Sequence, residues 1–212
     1  MHEVTIIDYG MGNLLSVARV FEKCGVNVKL SGNAREIEKA ERIVLPGVGA
    51  FCDGMAGLSE RNVVDSIKNF VLTERPFLGI CLGMQMMLNT SEEFGSHEGL
   101  GLIPGKVAPI PATGEDGTPH KIPHIGWNEL VSRGGTSWDG TILTGISEGT
   151  AVYFVHSFAV VPSDERHRLA DVLYNGRLIS AAIRLGNTYG TQFHPEKSGE
   201  AGLEIVANFL KL

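Results

Sequence analysis

Few cysteines, no long apolar run and no excess of positive charge mark this sequence, and each absence excludes a class of protein. Three cysteines in 212 residues make no paired disulfide framework. No apolar run approaches the ~20 residues of a membrane span. The N-terminal segment MHEVTIID lacks the charged start and apolar length of a signal peptide. A net charge of −6 argues against nonspecific nucleic-acid binding. We therefore expect a cytoplasmic globular protein.

The first half of the chain alternates strand-like and helix-like segments. Apolar runs at Val4–Ile7, Ile43–Leu45 and Phe77–Ile80 have the length and composition of buried strands. Helical patterns lie between them, one of them over Val63–Thr73, and a further helix is expected to open over Met84–Asn89. Strands that alternate with helices predict a parallel sheet with helices on both faces.

The second half consists of short runs interrupted by glycine and proline. These runs predict antiparallel strands added to the sheet, and Asn175-Gly176 predicts a tight hairpin between two of them. A final helix is expected over Gly199–Lys211, with Ser198 as its N-cap. No linker or repeat divides the sequence, so we expect residues 1–212 to form one α/β domain around a central, mostly parallel sheet.

A cysteine lies between two glycines where a strand runs into a helix. The pattern GICLG over Gly79–Gly83 is typical of a nucleophile elbow, whose tight corner admits only small neighbours. A helix N-terminus directs its backbone N–H groups and the positive end of its dipole toward a side chain at the position of Cys81, and the Leu82 N–H is well placed to bind an oxyanion. A buried structural cysteine is the alternative interpretation. Cys24 and Cys52 lack this setting.

A histidine and a glutamate lie two positions apart in the run QFHPE near the C-terminus. Residues two apart on a strand point to the same face, so the predicted strand Thr188–Phe193 is expected to deliver both to one site. His194 is then a candidate general base, and Glu196 a candidate acid that orients its ring. The alternative is a loop histidine beside a solvated glutamate, and His156 is the rival base.

The glycine-rich turn Pro46–Gly49 follows the third predicted strand and presents backbone N–H groups. It lacks the P-loop pattern, and Asp8–Asn13 carries only two of the glycines of a dinucleotide site. We therefore interpret the turn as a place for an N–H beside a reacting carbonyl. No two histidines or cysteines have metal-ligand spacing on one element, so neither a metal nor a cofactor is expected.

Taken together, these motifs resemble the class I, triad-type glutamine amidotransferases. Within that family, the sequence is similar to the glutaminase subunits of imidazole glycerol phosphate synthase. The resemblance extends from Val4 to about Phe209 and implies the three-layer fold of the family. It is carried by five motifs, IDYGMGNL, LPGVGAF, CLGMQ, PHIGWN and HPEKS, which begin at Ile7, Leu45, Cys81, Pro123 and His194.

The resemblance also implies a role for each matching residue. Cys81 is the nucleophile, His194 the base and Glu196 its orienting acid. The oxyanion is held by the N–H groups of Val48 and Leu82. The positions implied to hold glutamine are Gly49, Gln85, Glu93, Ser157 and Phe158. The positions implied to face a partner subunit are Asn13, Trp127 and Lys197.

A reaction and a partner follow from the same resemblance. Glutamine is hydrolysed to glutamate through a thioester on the cysteine. The ammonia passes through a (β/α)₈ barrel synthase, with which the chain forms a heterodimer. There it reacts with a phosphoribulosyl-formimino aminoimidazole carboxamide ribotide, to give imidazole glycerol phosphate and the aminoimidazole carboxamide ribotide (AICAR) in histidine biosynthesis.

One departure from the family pattern keeps other functions open. The segment Ala108–Lys121 looks longer than its compact counterpart in typical histidine-pathway members. Related glutaminases supply ammonia for amidino groups on bacterial surface sugars, so such an acceptor is an alternative. A cysteine hydrolase and a non-catalytic binding module are further alternatives. Gln85 favours glutamine over a peptide, and intact Cys81, His194 and Glu196 favour catalysis.

Overall fold

The computed structural model describes residues 3–212, so the first two residues of the N-terminal segment lie outside the described residues. Six α-helices are formed by the described residues, namely α1 Leu14–Lys23, α2 Ala34–Lys39, α3 Phe51–Glu60, α4 Val64–Leu72, α5 Leu82–Met86 and α6 Gly199–Phe209. The strands are β1 Glu3–Ile7, β2 Asn27–Ser31, β3 Ile43–Gly47, β4 Phe77–Cys81, β5 Thr90–Ser91, β6 His97–Glu98, β7 Gly105–Pro109, β8 His124–Val131, β9 Ala151–His156, β10 Phe158–Pro162, β11 Arg168–Tyr174, β12 Arg177–Leu185 and β13 Thr188–Thr191.

The main sheet has nine strands in the order β2-β1-β3-β4-β13-β12-β11-β8-β9. The first five strands of this order run parallel, and the remaining four join them through antiparallel pairs. The predicted α/β fold, with a parallel sheet core and added antiparallel strands, is confirmed. A second sheet of four strands, in the order β10-β7-β5-β6, lies beside it.

Helices cover both faces of the parallel strands, so the protein has three layers. Val44 belongs to an apolar cluster with Phe21 of α1 and Phe209 of α6. Its neighbours Ile43 and Leu45 belong to a second cluster, which contains the apolar residues of α2, α3, α4 and α5. Successive side chains of a strand point to opposite faces. A strand buried on both faces therefore reads as the continuous apolar run seen in the sequence.

The helix bounds agree with the sequence predictions in part. The helix expected over Val63–Thr73 is confirmed as α4. The α1 helix begins after Asn13, whose side chain accepts a hydrogen bond from the Ser16 N–H at 3.2 Å. The helix expected over Met84–Asn89 instead begins directly after the cysteine corner, as α5. The structure adds α3, which the sequence analysis did not predict, since its run FCDGMAGLSE contains two helix-disfavouring glycines.

The predicted final helix is confirmed as α6 with Ser198 at its N-cap position, but the Ser198 side chain makes no capping hydrogen bond. Its hydroxyl donates to the His194 carbonyl at 2.7 Å and accepts from the Tyr153 N–H at 3.0 Å. Ser198 therefore ties the segment after β13 to β9. The predicted hairpin is confirmed, because Asn175 and Gly176 adopt positive φ angles of 46° and 82° between β11 and β12.

The carboxyl ends of β3 and β4 position the candidate site. These strands pair in parallel, and Gly47 at the end of β3 lies opposite Cys81 at the end of β4. Ligands of open α/β sheets bind at this edge. Within residues 3–212, no helix is both long and apolar enough to cross a membrane.

Candidate active site

Cys81 occupies a sharp corner between β4 and α5. Its backbone adopts φ 54° and ψ −110°, a conformation that residues other than glycine seldom adopt. Such a backbone conformation costs of order 1–3 kcal/mol of folding free energy, and it persists only where the surrounding structure holds it. The corner sets the thiol at the start of α5, and only 7% of Cys81 is exposed.

The glycines on either side of the corner are required by packing. A β-carbon on Gly83 would overlap the Leu45 carbonyl oxygen of β3. A β-carbon on Gly79 would lie 2.6 Å from the Met87 sulfur and 2.8 Å from the Gly83 carbonyl carbon. Strand and helix therefore approach too closely for any side chain at these positions.

His194 and Glu196 form a buried hydrogen-bonded pair. His194 Nδ1 lies 2.8 Å from Glu196 Oε1, and both side chains are at most 3% exposed. The expected geometric reason was wrong, because β13 ends at Thr191 and a 3₁₀ turn over Pro195–Lys197 brings the carboxylate back to the ring. The His194 N–H donates to the Tyr153 carbonyl at 2.9 Å, which fixes the backbone of the turn.

The environment favours the protonated form of His194. Burial opposes the charged ring, but the interactions with Cys81 and Glu196 outweigh burial and raise the pKa of His194 to about 9. Nε2 has no partner of normal hydrogen-bond geometry, although the Cys81 sulfur is near enough to contribute to this increase in pKa. Cys81, His194 and Glu196 are therefore brought together as the sequence predicts, in the order of a nucleophile–base–acid triad.

The glycine turn after β3 lies beside the cysteine corner. Val48 is 42% exposed, and Gly49 follows with a φ of 108°. Upstream, the buried Tyr9 hydroxyl donates to the Pro46 carbonyl at 2.9 Å. The Leu82 N–H belongs to the first residue of α5. The turn and the helix start thus place two backbone segments around the thiol.

A 290 Å³ pocket opens next to Cys81, and every residue that the sequence analysis expected to hold glutamine lines it. Its lining residues are Val48, Gly49, Cys81, Leu82, Gln85, Glu93, Pro123, Val155, His156, Ser157 and Phe158. The elements β4 and α5 are neighbours in the sequence. The crossing from β9 to β10 lies far along the chain and meets them only in the folded protein.

Two of the pocket side chains are held by other groups of the protein. Glu93 Oε2 accepts a hydrogen bond from the Phe51 N–H at the start of α3, at 2.6 Å. Gln85 Nε2 donates to the Phe158 carbonyl at 3.0 Å and to Gln192 Oε1 at 3.1 Å. Both side chains therefore have fixed orientations at the pocket wall.

Gln192 is a residue of the site that sequence reasoning missed. It is fully buried, and its Nε2 lies 3.7 Å from the Cys81 sulfur while its Oε1 accepts from Gln85. Gln192 thus connects the cysteine to the pocket wall. The available signal was its place at the start of the QFHPE run, two positions before His194.

The rival base His156 has both ring nitrogens engaged elsewhere. Nδ1 lies 2.8 Å from the Phe158 carbonyl oxygen, and Nε2 lies 3.0 Å from His124 Nδ1. Burial lowers the pKa of His156 to about 3. His156 therefore stays neutral, and neither nitrogen is free for proton transfer to the thiol.

The residues expected to face a partner lie at the surface. Trp127 is 58% exposed, and its ring meets that of Tyr153 edge-on at 6.1 Å. Lys197 is exposed, with its Nζ 5.6 Å from the centre of the Tyr153 ring. Asn13 is exposed at the N-terminus of α1. In the part of the chain that the structure describes, no cluster of histidine, cysteine or carboxylate residues could hold a metal.

Comparison with known families decides what kind of protein carries this site. The model of the family "Glutamine amidotransferase class-I" matches residues 5–212. The chain belongs to this family. Similar curated proteins include "Imidazole glycerol phosphate synthase subunit HisH 1" of Legionella pneumophila (strain Lens), 58% identical over the full length of both chains. "Imidazole glycerol phosphate synthase subunit HisH" of Syntrophotalea carbinolica is 46% identical over 97% of this chain and 98% of its own.

Solved structures agree on the fold of this glutamine amidotransferase. "Structure of PurLQS from Thermotoga maritima" superposes with a TM-score of 0.75 at 19% identity, over 99% of this chain and 98% of the other. "Crystal structure of glutamine amidotransferase" gives a TM-score of 0.74 at 14% identity, over 99% of each chain. Both likenesses concern the fold, and the predicted class I fold is confirmed.

Proposed function

We propose that this chain is the glutaminase subunit of an imidazole glycerol phosphate synthase. The observation that carries the proposal is the Cys81–His194–Glu196 arrangement beside a pocket lined by Gln85 and Glu93. Support for the synthase comes from relatives up to 58% identical whose names include that enzyme.

The proposed reaction begins with attack of the Cys81 thiolate on the side-chain amide carbon of glutamine. The negative charge that develops on the amide oxygen is stabilised by the N–H groups of Leu82 and Val48. Protonated His194 gives its proton to the leaving ammonia, and a glutamyl thioester remains on Cys81. A water molecule, deprotonated by His194, then hydrolyses the thioester to glutamate and regenerates the thiol.

The ammonia is proposed to pass to a (β/α)₈ barrel subunit docked over Trp127 and Lys197. An exposed aromatic ring beside an exposed cation suits an interface, where tryptophan is often an energetic anchor. The barrel subunit is proposed to use the ammonia to make imidazole glycerol phosphate and AICAR. Water around the heterodimer would protonate ammonia, so a sealed passage between the two sites favours its use as a nucleophile.

A bacterial surface sugar that receives an amidino group is the second candidate acceptor, and the segment Ala108–Lys121 is the feature that favours it. In the structure this segment folds onto the β11–β12 hairpin, where Arg177 Nε donates to the Thr113 carbonyl at 2.6 Å. The Legionella relative aligns over 213 positions with both chains fully covered, so a protein named for the synthase has nearly the same length. The synthase is therefore our first choice.

The test combines labelling with a change of the nucleophile. A diazo-ketone analogue of glutamine is expected to modify Cys81 and to leave Cys24 and Cys52 free. Cys81→Ser is expected to abolish glutamate release while the circular dichroism spectrum stays that of the native protein. Full activity in Cys81→Ser, or labelling at another cysteine, would contradict the assignment. Product formation with the histidine-pathway barrel subunit, and none with a sugar amidotransferase subunit, identifies the acceptor.

A further inference from the structure

A chain of hydrogen bonds runs from the surface strand β8 to the wall of the pocket. Asn128 Nδ2 lies 3.4 Å from His124 Nε2, and His124 Nδ1 lies 3.0 Å from His156 Nε2. His156 Nδ1 in turn lies 2.8 Å from the Phe158 carbonyl oxygen. The sequence analysis assigned no role to His124, which is 3% exposed.

The position of every hydrogen in this series of hydrogen bonds follows from the bond to the Phe158 carbonyl. A carbonyl oxygen only accepts, so His156 Nδ1 must carry a hydrogen. In a neutral ring Nε2 is then an acceptor, and His124 Nδ1 must donate to it. His124 Nε2 is left as an acceptor for the Asn128 amide, whose own oxygen already accepts from the Glu129 N–H at 2.9 Å. One pair of tautomers therefore satisfies the whole chain.

Both rings are held neutral and in place by their surroundings. Burial lowers the pKa of His124 to about 4, and burial likewise lowers that of His156 to about 3. The His124 ring stacks on Tyr174 at 4.2 Å and on Phe154 at 4.9 Å between ring centres. At neutral pH the two histidines therefore form a rigid, uncharged pair.

The Phe158 carbonyl needs such support because it lies where the chain changes sheets. β9 belongs to the nine-stranded sheet and β10, which begins at Phe158, to the four-stranded sheet. The Ile110 N–H donates to the Ser157 carbonyl, so Phe158 and Pro109 of β7 form a non-hydrogen-bonded pair, and the Phe158 carbonyl faces the open edge of β10. The carbonyl instead accepts from Gln85 Nε2 and His156 Nδ1, and both side chains line the pocket beside Cys81.

We propose that His156 and His124 are positioning residues, whose fixed tautomers hold the Phe158 carbonyl and the adjoining pocket wall in the geometry that binds glutamine. This inference rests on the proposed function, since it takes glutamine as the ligand of the pocket. It assigns no proton transfer to either ring, because their nitrogens are occupied by each other and by the backbone.

Two substitutions of His156 separate its hydrogen bond to the Phe158 carbonyl from its hydrogen bond to His124. The amide nitrogen of asparagine takes the place of Nδ1, so His156→Asn keeps a donor for the Phe158 carbonyl and loses the link to His124. The longer glutamine side chain reaches the place of Nε2, so His156→Gln keeps the link to His124 and removes the donor. Each variant loses one buried hydrogen bond, so the two variants are expected to lose a similar amount of stability.

The expected result is a difference in glutamine affinity between the two variants. With the barrel subunit present, His156→Gln is expected to raise the KM for glutamine about fivefold to tenfold, the size of one lost hydrogen bond, with kcat changed less than about twofold. His156→Asn keeps the donor but loses the His124 link that fixes it, so it is expected to raise KM by a smaller factor, about twofold to threefold. Equal increases in KM, or a loss confined to kcat, would overturn the positioning role.

Nitrogen NMR of the wild-type protein tests the hydrogen-bonding pattern on which the inference depends. Both rings are expected to be the neutral Nδ1–H tautomer from pH 5.5 to 8. An Nε2–H tautomer at either ring, or titration of either ring in that interval, would overturn the inference. Failure of the proposed function is distinct, because it would appear as absence of glutamine turnover and of Cys81 labelling in the wild-type protein.

Discussion

Glu196→Gln is the change that best tests how the triad works. The Glu196 carboxylate accepts from His194 Nδ1 at 2.8 Å, and its side chain is 2% exposed. The substitution keeps the size of the side chain and removes its charge. A hydrogen bond to a charged group contributes about 1.5–3 kcal/mol, and one pKa unit corresponds to about 1.4 kcal/mol. The pKa of His194 should therefore fall from about 9 to about 7–8.

The consequence is a shift in the alkaline limb of the pH–rate profile. Wild-type turnover should decline as pH rises through about 9, because neutral His194 has no proton for the leaving ammonia. In Glu196→Gln the decline should begin about one to two pH units lower. The loss of the orienting acid should reduce kcat by on the order of 10⁴, and His194→Asn should reduce it by on the order of 10⁶.

The pH dependence of the free energy of unfolding gives an independent measure of the His194–Glu196 interaction. Folding raises the pKa of His194 from 6.5, so its contribution to the free energy of unfolding is complete below pH 6.5 and is lost as pH rises through about 9. Urea unfolding at pH 6 and pH 10 should show this loss in the wild-type protein, and a smaller loss in Glu196→Gln.

The assay is glutamate release from pH 6 to 10 with the barrel subunit at saturation. Glu200→Gln is a matched control, since Glu200 is exposed in the first turn of α6 and loses the same charge close by. The control should follow the wild-type profile. The reasoning is refuted if the alkaline limb of Glu196→Gln coincides with that of wild type, or if Glu196→Gln is less active than His194→Asn.

Three further predictions concern the corner, the oxyanion turn and the surface. Gly83→Ala should lower the free energy of unfolding by about 1–3 kcal/mol, because its methyl group would meet the Leu45 carbonyl; an unchanged urea midpoint would contradict this. If the Val48 N–H points away from the thiol in the free chain, the barrel subunit with acceptor bound should raise glutaminase turnover about 10²–10³-fold, and equal rates would refute such gating. Trp127→Ala should weaken binding in a titration with the barrel subunit, and Lys197→Ala should release more glutamate than product. Wild-type affinity in the first variant and a one-to-one ratio of glutamate to product in the second would remove both residues from the interface.

Local sequence was sufficient to predict the parallel core and to select the candidate side chains that the structure brings together. Buried parallel strands need continuous apolar runs, and such runs are visible at Ile43–Leu45 and Phe77–Ile80. The sharp corner at Cys81 needs glycine on both sides, so Gly79 and Gly83 signal it directly. These features depend on residues that are neighbours along the chain, and for that reason they can be read without a structure.

Contacts between distant segments decided the rest, because no local pattern records them. The α3 helix begins where Glu93, 42 positions further along the chain, accepts from the Phe51 N–H. Serine is a common helix-capping residue, but the Ser198 hydroxyl accepts a hydrogen bond from the Tyr153 N–H of β9 instead. No local pattern marks His124 as buried, and only the pairing of β8 with β9 buries it against His156. Residues that are neighbours along the chain thus suffice to choose the candidate side chains, whereas the tertiary structure decides which of them meet, because packing between distant strands sets their distances and hydrogen-bond partners.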